Sequence, residues 1–337
     1  MKTRLSRCDP VIGDAYCVIC CRSLTVTAHV TDACLTVERE AGYLYTNLTS
    51  AIADKHSPLR RYFDVRFPHV RGIQAAYRAA AGPLLVPGGT ANPGILGAAF
   101  DFMIRLTLDS TCVPDVAIAA FRHHASCVAA ITRVAHIGGA AACGCRDSVL
   151  PVETARASWA LALCTEIYRA GPQPGSPLQS LYRRGRFTPA GLLDAAPKDA
   201  IAQLCALHTV AVEHLYPALP YSRMVLGPVF AGSVLCKADA DLIADGHLID
   251  VKTHLGALNR ATGARSDRLP LSTIYQLAGY ALFDYADTYG ITAVGVYSAR
   301  YGALWTRDFA EFLQELAGGV VDIAAERAAV WNRLGGR

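Results

Sequence analysis

The sequence predicts an α/β protein: a small mixed β-sheet flanked by helices, with a long helical N-terminal region. Three observations carry that prediction. Of the 337 residues, 52% are hydrophobic and 18% charged, which is enough apolar surface for a sizeable core. Much of the apolar excess is alanine, the strongest helix former. Runs of strand-forming residues joined by tight turns lie after residue 220.

In chain order, Leu44–Ala53 and Ser57–Ala81 read as helices. The second is broken near Pro68, because proline supplies no amide donor. Its cluster "PLRRYFDVRFPHVRG" carries Arg60, Arg61, Arg66 and Arg71. Such arginines either contact phosphates or, the reading favoured here, form a solvated or ion-paired helix face. "GPLLVPGGTANPG" is a Gly/Pro-rich loop. Helices follow near 96–108, 114–134 and 153–169. A second loop, "RAGPQPGSPLQSLYRRGRFTPAG", bears Arg183, Arg184 and Arg186, and residues 190–216 return to helix. From 221 to 254 the chain is strand-rich. Next comes "HLGALNRATGARSDRLP", a loop with Arg260, Arg265 and Arg268 placed to grip a phosphate backbone. Leu271–Tyr285 is a helix, "ITAVGVYSARYGALWTRDF" gives two strands around a Tyr301-Gly302 turn, and Phe309–Leu334 closes the chain as an amphipathic helix. The expected organisation is a helical region over 1–95 and a second domain over 96–337, with 110–216 as its helical elaboration.

The stretch Leu235–His254, "LCKADADLIADGHLIDVKTH", holds four aspartates and two lysines in a mostly apolar run. Ala240–Ala244 and His247–Thr253 read as the arms of a hairpin around Asp245-Gly246, a favoured two-residue turn. Alternation places Leu248, Asp250 and Lys252 on one face and Ile249, Val251 and Thr253 on the other. Asp241 lies on the neighbouring arm, where cross-strand geometry brings it near. Two carboxylates and an ammonium then converge. The alternative is the wet side of an antiparallel sheet.

Asp241, an apolar turn and "IDVKT", followed downstream by "YQLAGYALF", resemble the PD-(D/E)xK nuclease superfamily, and most closely its RecB-like branch. In that branch an aspartate precedes an Asp-x-Lys-Thr strand, and a later helix carries Gln-x-x-x-Tyr. Gln276 and Tyr280 are four apart here, on one helical face. The resemblance covers roughly residues 220–310 and extends weakly upstream to "NPGILGAAFDFMIRLTL". There the branch has Gly-x-x-x-His, and this chain has Gly97 followed by Asp101. Asp101 either fills the histidine's role or is the polar border of an amphipathic helix; Glu166 and Glu213 are alternatives.

The resemblance implies a restriction-endonuclease-like core and metal-dependent hydrolysis of phosphodiester bonds in DNA. Phosphodiester hydrolysis needs a hard cation, Mg²⁺ or Mn²⁺, for which a few oxygen ligands suffice. Carried over, Asp241, Asp250 and the Val251 carbonyl hold the metal, with Asp101 as a further acid. Lys252 positions the attacking water and offsets transition-state charge. Gln276 and Tyr280 hydrogen-bond near the lysine or the substrate backbone. The implied partners are DNA and a protein component of a repair or defence system. The other reading is a catalytically silent nuclease-fold protein that binds nucleic acid or a partner protein.

A net charge of +4 permits nucleic-acid binding without arguing for it. No charge-free run of about eighteen apolar residues and no secretory leader is recognised, so the expectation is a cytoplasmic protein without a membrane span. Twelve cysteines run from Cys8 to Cys236. Buried free thiols are expected. Cys17 with Cys20, and Cys143 with Cys145, have ligand-like spacing. The iron–sulfur pattern of some RecB-like nucleases needs cysteines after the core, and none follows Cys236.

Overall fold

The computed structural model describes residues 45–171 and 174–336. Cys17 and Cys20 lie outside them. Thirteen α-helices and a five-stranded mixed sheet make up this mixed α/β fold among the described residues. The sheet runs β1 (Met224–Leu226), β2 (Leu242–Ala244), β3 (His247–Lys252), β6 (Ala293–Ser298), β7 (Ala303–Asp308). Only β3 and β6 are parallel. They are joined by α11 (Leu271–Phe283), as a parallel pair requires a crossover. A separate two-stranded ribbon, β4 (Ala257–Leu258) and β5 (Arg265–Ser266), sits in the loop expected to be irregular.

Both faces of the sheet are covered, and alternation decides which residue goes where. Leu248, Val294 and Val296 face one apolar cluster. It is built from α1 (Leu48–Ala53), α2 (Pro58–Arg66), α3 (Val70–Ala80), α11, α12 (Phe309–Ala317) and α13 (Ile323–Arg333). Ile249 and Tyr297 face the other cluster. That layer holds α4 (Pro93–Leu108), α5 (Asp115–Ala119), α6 (Ala125–Ala142), α7 (Val152–Ala170), α8 (Pro177–Arg183), α9 (Pro189–Asp194) and α10 (Lys198–His214).

Several boundaries differ from the sequence reading, each for a local reason. The helix expected over 114–134 is two, α5 and α6, with a turn between them in which Phe121 packs on Phe187 at 5.2 Å. The loop expected over 169–191 contains α8 and the start of α9, and the helix expected over 190–216 is two, α9 and α10. Ser176-Pro177 and Thr188-Pro189 start them, each hydroxyl accepting a backbone N–H while proline fills the first helical position. The closing helix breaks after Ala317 because Gly318 adopts φ 70° and ends α12, and Asp322 caps α13.

Helix α6 is long and apolar enough to cross a membrane by length and composition, and its buried side packs in the helical layer. Arg60 pairs with Asp64 at 2.8 Å and Arg66 with Glu326 at 2.6 Å, so these two arginines are tied inside the fold. Cys143 is exposed and Cys145 half-buried, both free thiols.

Candidate active site

The turn at Asp245-Gly246 sets the register on which the site depends. Their φ values, 45° and 80°, are those of a type I′ turn, and Ala244 pairs with His247 across it. Leu242 lies opposite Ile249, so Asp241 stands just before the first paired residue of β2. Asp241 Oδ2 accepts from Val251 N at 2.6 Å. On the opposite edge, the Lys252 carbonyl accepts from Ala299 N at 2.8 Å. Successive residues alternate edges, and the amide and carbonyl of one residue share an edge. The Val251 carbonyl therefore points to the edge where Asp241 lies.

Asp250 and Lys252 share the sheet face with Leu248, the face that α11 covers. Asp250 is buried, 2% exposed. Its Oδ2 lies 2.6 Å from Lys252 Nζ, an ion pair. Lys252 Nζ donates to Gln276 Oε1 at 3.2 Å, and Gln276 Nε2 donates to the Tyr280 hydroxyl at 2.6 Å. Gln276 and Tyr280 are one helical turn apart on α11, so one side chain continues the other's bond. The Tyr280 ring stacks on Phe230 at 5.8 Å.

Charge is concentrated here against its solvation preference. Burial pushes the Asp250 carboxyl up, to about 6, with Asp241 adding to the push while Lys252 opposes it. Burial alone would pull the Lys252 ammonium down, but Asp250 and Asp241 outweigh it and the net direction is up. Burial, then Asp250, Asp241 and Asp239, push the Tyr280 hydroxyl far up, so it stays protonated.

Helix α4 brings Asp101 from the layer on the other side of the sheet. Asn92 caps α4, accepting from Gly94 N and Ile95 N. Gly97 permits its close approach: a Cβ there would lie 3.2 Å from Thr253 Oγ1, just past the Asp-x-Lys segment. The Asp101 carboxylate grips Arg105, with Oδ1 2.9 Å from Nε and Oδ2 2.7 Å from Nη2. Arg105 in turn lies over Gly227, whose N–H donates to the Asp241 carbonyl at 2.9 Å. Burial pushes the Asp101 carboxyl up, to about 7, and Asp241 and Asp239 add to this against the pull of Arg105. Asp101 is thus beside the group, with its oxygens engaged by a guanidinium. A small cavity opens between it, Phe102, Val116, Thr165 and Asp239. Glu213 is exposed next to His214, and neither it nor Glu166 contributes a contact to the group.

A hard divalent cation fits this donor set. Mg²⁺ keeps several waters and needs only one or two carboxylates. Asp241, Asp250 and the Val251 carbonyl could hold it, with the Lys252 ammonium, 2.6 Å from Asp250 Oδ2, as the competing cation. Among the described residues, no three His, Cys, Asp or Glu side chains converge tightly enough to form an all-protein cage. A softer metal such as zinc, which favours such cages, is not favoured by this arrangement.

Two residues that sequence reasoning passed over stand at the same end of β3. His254 follows just past the end of β3, and its Nε2 lies 2.7 Å from Asp267 Oδ1. The Asp267 side chain is fully enclosed and also accepts from the Tyr77 hydroxyl at 2.7 Å and from Arg268 N at 2.8 Å. The signal for His254 was present two residues past Lys252. Asp267 was hidden in a loop read only for its arginines. Of these, Arg260 and Arg268 are exposed, and Arg265 donates to the Gly256 carbonyl at 3.3 Å.

Compared with family models, with curated proteins and with solved structures, the chain finds no match.

Proposed function

We propose that the protein is a metal-dependent nuclease that hydrolyses phosphodiester bonds in DNA, built on a restriction-endonuclease-like core. The observation that carries this reading is the connected set Asp250–Lys252–Gln276–Tyr280, with Asp241 on the neighbouring amide of Val251. Three residues of the β2–β3 hairpin and two of α11 meet at one end of the sheet, with chemistry that suits phosphodiester hydrolysis.

In this reading Asp241, Asp250 and the Val251 carbonyl hold Mg²⁺ or Mn²⁺. When bound, the cation polarises the phosphate and makes a bound water a better nucleophile. Asp250 fixes the Lys252 ammonium beside the metal ligands, where it orients the attacking water and offsets charge growing on the phosphate oxygens. Gln276 holds the lysine from behind, and the protonated Tyr280 holds Gln276. The exposed Arg260 and Arg268 give the substrate backbone its counter-charges.

One feature favours a second reading. Lys252 neutralises Asp250, and Arg105 neutralises Asp101, so the acidic residues are partly compensated within the chain. A catalytically silent nuclease-fold protein that binds nucleic acid would look the same. Calorimetry with Mn²⁺ and cleavage of single- and double-stranded oligonucleotides separate the two. The enzyme is expected to bind Mn²⁺ and cut DNA in a chelator-sensitive way, with Asp250→Ala losing both. Equal Mn²⁺ binding by the wild type and Asp250→Ala would overturn the metal assignment.

A further inference from the structure

The imidazole of His254 is the best-organised group at the site for which the nuclease reading has no use. It stands two residues past Lys252, just beyond the end of β3, near enough that its protonated form would help hold the Asp250 carboxyl down. Its side chain is 34% exposed, while that of its partner Asp267 is wholly enclosed. A histidine serving only the core would be enclosed with its partner. Here the carboxylate is sequestered and the ring reaches solvent beside the candidate metal ligands.

The contacts of Asp267 show what it does to the ring. Tyr77 and the Arg268 amide both donate to it, so the carboxylate is pinned before it meets the histidine. A carboxylate only accepts. The nitrogen facing it, Nε2, must therefore carry a proton, which leaves Nδ1 of this part-exposed ring to take or give one. Histidine is the side chain that exchanges a proton most readily near neutral pH. Lys252 already occupies the place beside the attacking water, so the unserved need of the reaction is the other end of the phosphorus.

Resting on the nuclease reading above, we propose that His254 is a further catalytic residue, the proton donor to the leaving oxygen, and that Asp267 is its positioning residue. Water attacks phosphorus, forming the new P–O bond and losing one proton to solvent. The bond from phosphorus to the leaving deoxyribose oxygen breaks with its electron pair on oxygen. The proton on His254 Nδ1 passes to that oxygen. The products are a phosphomonoester and an alcohol, and His254 regains its proton from solvent. One water is consumed and nothing is oxidised or reduced.

The test uses the full chain and two sets of oligonucleotides. One set has an ordinary phosphodiester at a single cleavable position. The other replaces the bridging 3′- or 5′-oxygen there with sulfur, a leaving group that needs no proton. His254→Gln is expected to slow cleavage of the ordinary diester by roughly 10²- to 10⁴-fold, the range for a lost general acid. It should cut one of the sulfur-bridged substrates at close to the wild-type rate. The ratio of the two rates is independent of the folded fraction, so a destabilised variant still reads out. Asp267→Asn should lower kcat more than it raises KM. In the metal-free protein, ¹⁵N spectra should show a single Nε2–H tautomer that becomes a mixture in Asp267→Asn. An unchanged rate ratio in His254→Gln, whether both substrates slow together or neither does, would overturn the role of His254 and leave the nuclease reading standing. A wild type that binds Mn²⁺ yet cuts neither substrate overturns the nuclease reading, and this proposal with it.

Discussion

At the scale of single residues, Lys252 is held by two forces that pull on different functions. The family resemblance in the sequence makes it the group that positions the attacking water. In the structure its ammonium lies 2.6 Å from a carboxylate that is 3% exposed. Removing one partner of an enclosed pair leaves the other charge uncompensated. Lys252→Ala is therefore expected to abolish cleavage and to lower metal-free stability by about 1–3 kcal/mol, less than for a fully buried pair because the lysine is a quarter exposed. Mn²⁺ should then raise the melting temperature of the variant more than that of the wild type, since the cation no longer competes with an ammonium. Melting curves with and without Mn²⁺ check this, and equal shifts would count against it.

Asp101 sits under a similar constraint. A position on a solvated helix face would cost at most about half a kcal/mol when changed to asparagine. Its grip on Arg105, whose side chain is 13% exposed, removes that freedom. Asp101→Asn is expected to cost about 1–3 kcal/mol through the stranded guanidinium. It should also slow cleavage about tenfold or more, about 1.4 kcal/mol per factor of ten, if the acid acts on the metal. A normal cleavage rate with a lowered melting temperature would make the pair structural and take Asp101 out of the site.

At the scale of elements, the β2–β3 hairpin is where local chemistry decides the site. A one-residue slip would send Asp250 and Lys252 to the opposite face of the sheet, away from Gln276 and Tyr280. Gly246 guards against it with φ 80°, and an added Cβ would lie 2.7 Å from the Gly290 carbonyl. Gly246→Ala should destabilise the protein by about 1–3 kcal/mol. It should weaken Mn²⁺ binding in parallel, because Asp241 and Asp250 lie on either side of this turn. Denaturant titration together with calorimetry measures both, and unaltered metal affinity in a destabilised variant would detach the turn from the site.

At the scale of the whole molecule, the two helical layers meet the sheet through different chemistry. One brings Gln276 and Tyr280 of α11 to the charged pair on β3, and the other contains an enclosed imidazole. His208 on α10 is 0% exposed, with Nε2 at 3.0 Å from the Cys145 carbonyl and 3.1 Å from the Ser148 carbonyl. It thereby ties α10 to the segment after α6. Burial pushes its pKa down, against the two carbonyl contacts. A depressed imidazole favours the neutral form in the fold, so its contribution is fully present above the unfolded value of about 6.5. It is lost as pH falls from there through the folded value, because the unfolded chain takes the proton first. The enclosed Asp101 and Asp250 are shifted up and act in the opposite sense. The readout is therefore a difference: His208→Gln should lose less stability than the wild type between pH 7 and pH 5. Parallel pH profiles would show that His208 does not govern this acid limit.

By itself the sequence determined those features whose cause is local. The hairpin turn follows from Asp245-Gly246, the alternation of Asp250 with Lys252 from a strand's period of two, and the pairing of Gln276 with Tyr280 from the helical turn. The existence of most helices was legible for the same reason. The break at Gly318 and the short helices begun by Ser176-Pro177 and Thr188-Pro189 were signalled by cap residues that a reading by apolar periodicity passes over, whereas the break before Ala125 has no side-chain cap to signal it. Tertiary structure alone decided which distant groups meet. No spacing says that Asp267 encloses its carboxylate against Tyr77 while holding His254, or that Arg105, an i,i+4 partner of Asp101 on α4, lies against Gly227 beside Asp241. Those contacts arise because helices close over both faces of the sheet and strip water from charges, which must then find partners within the chain.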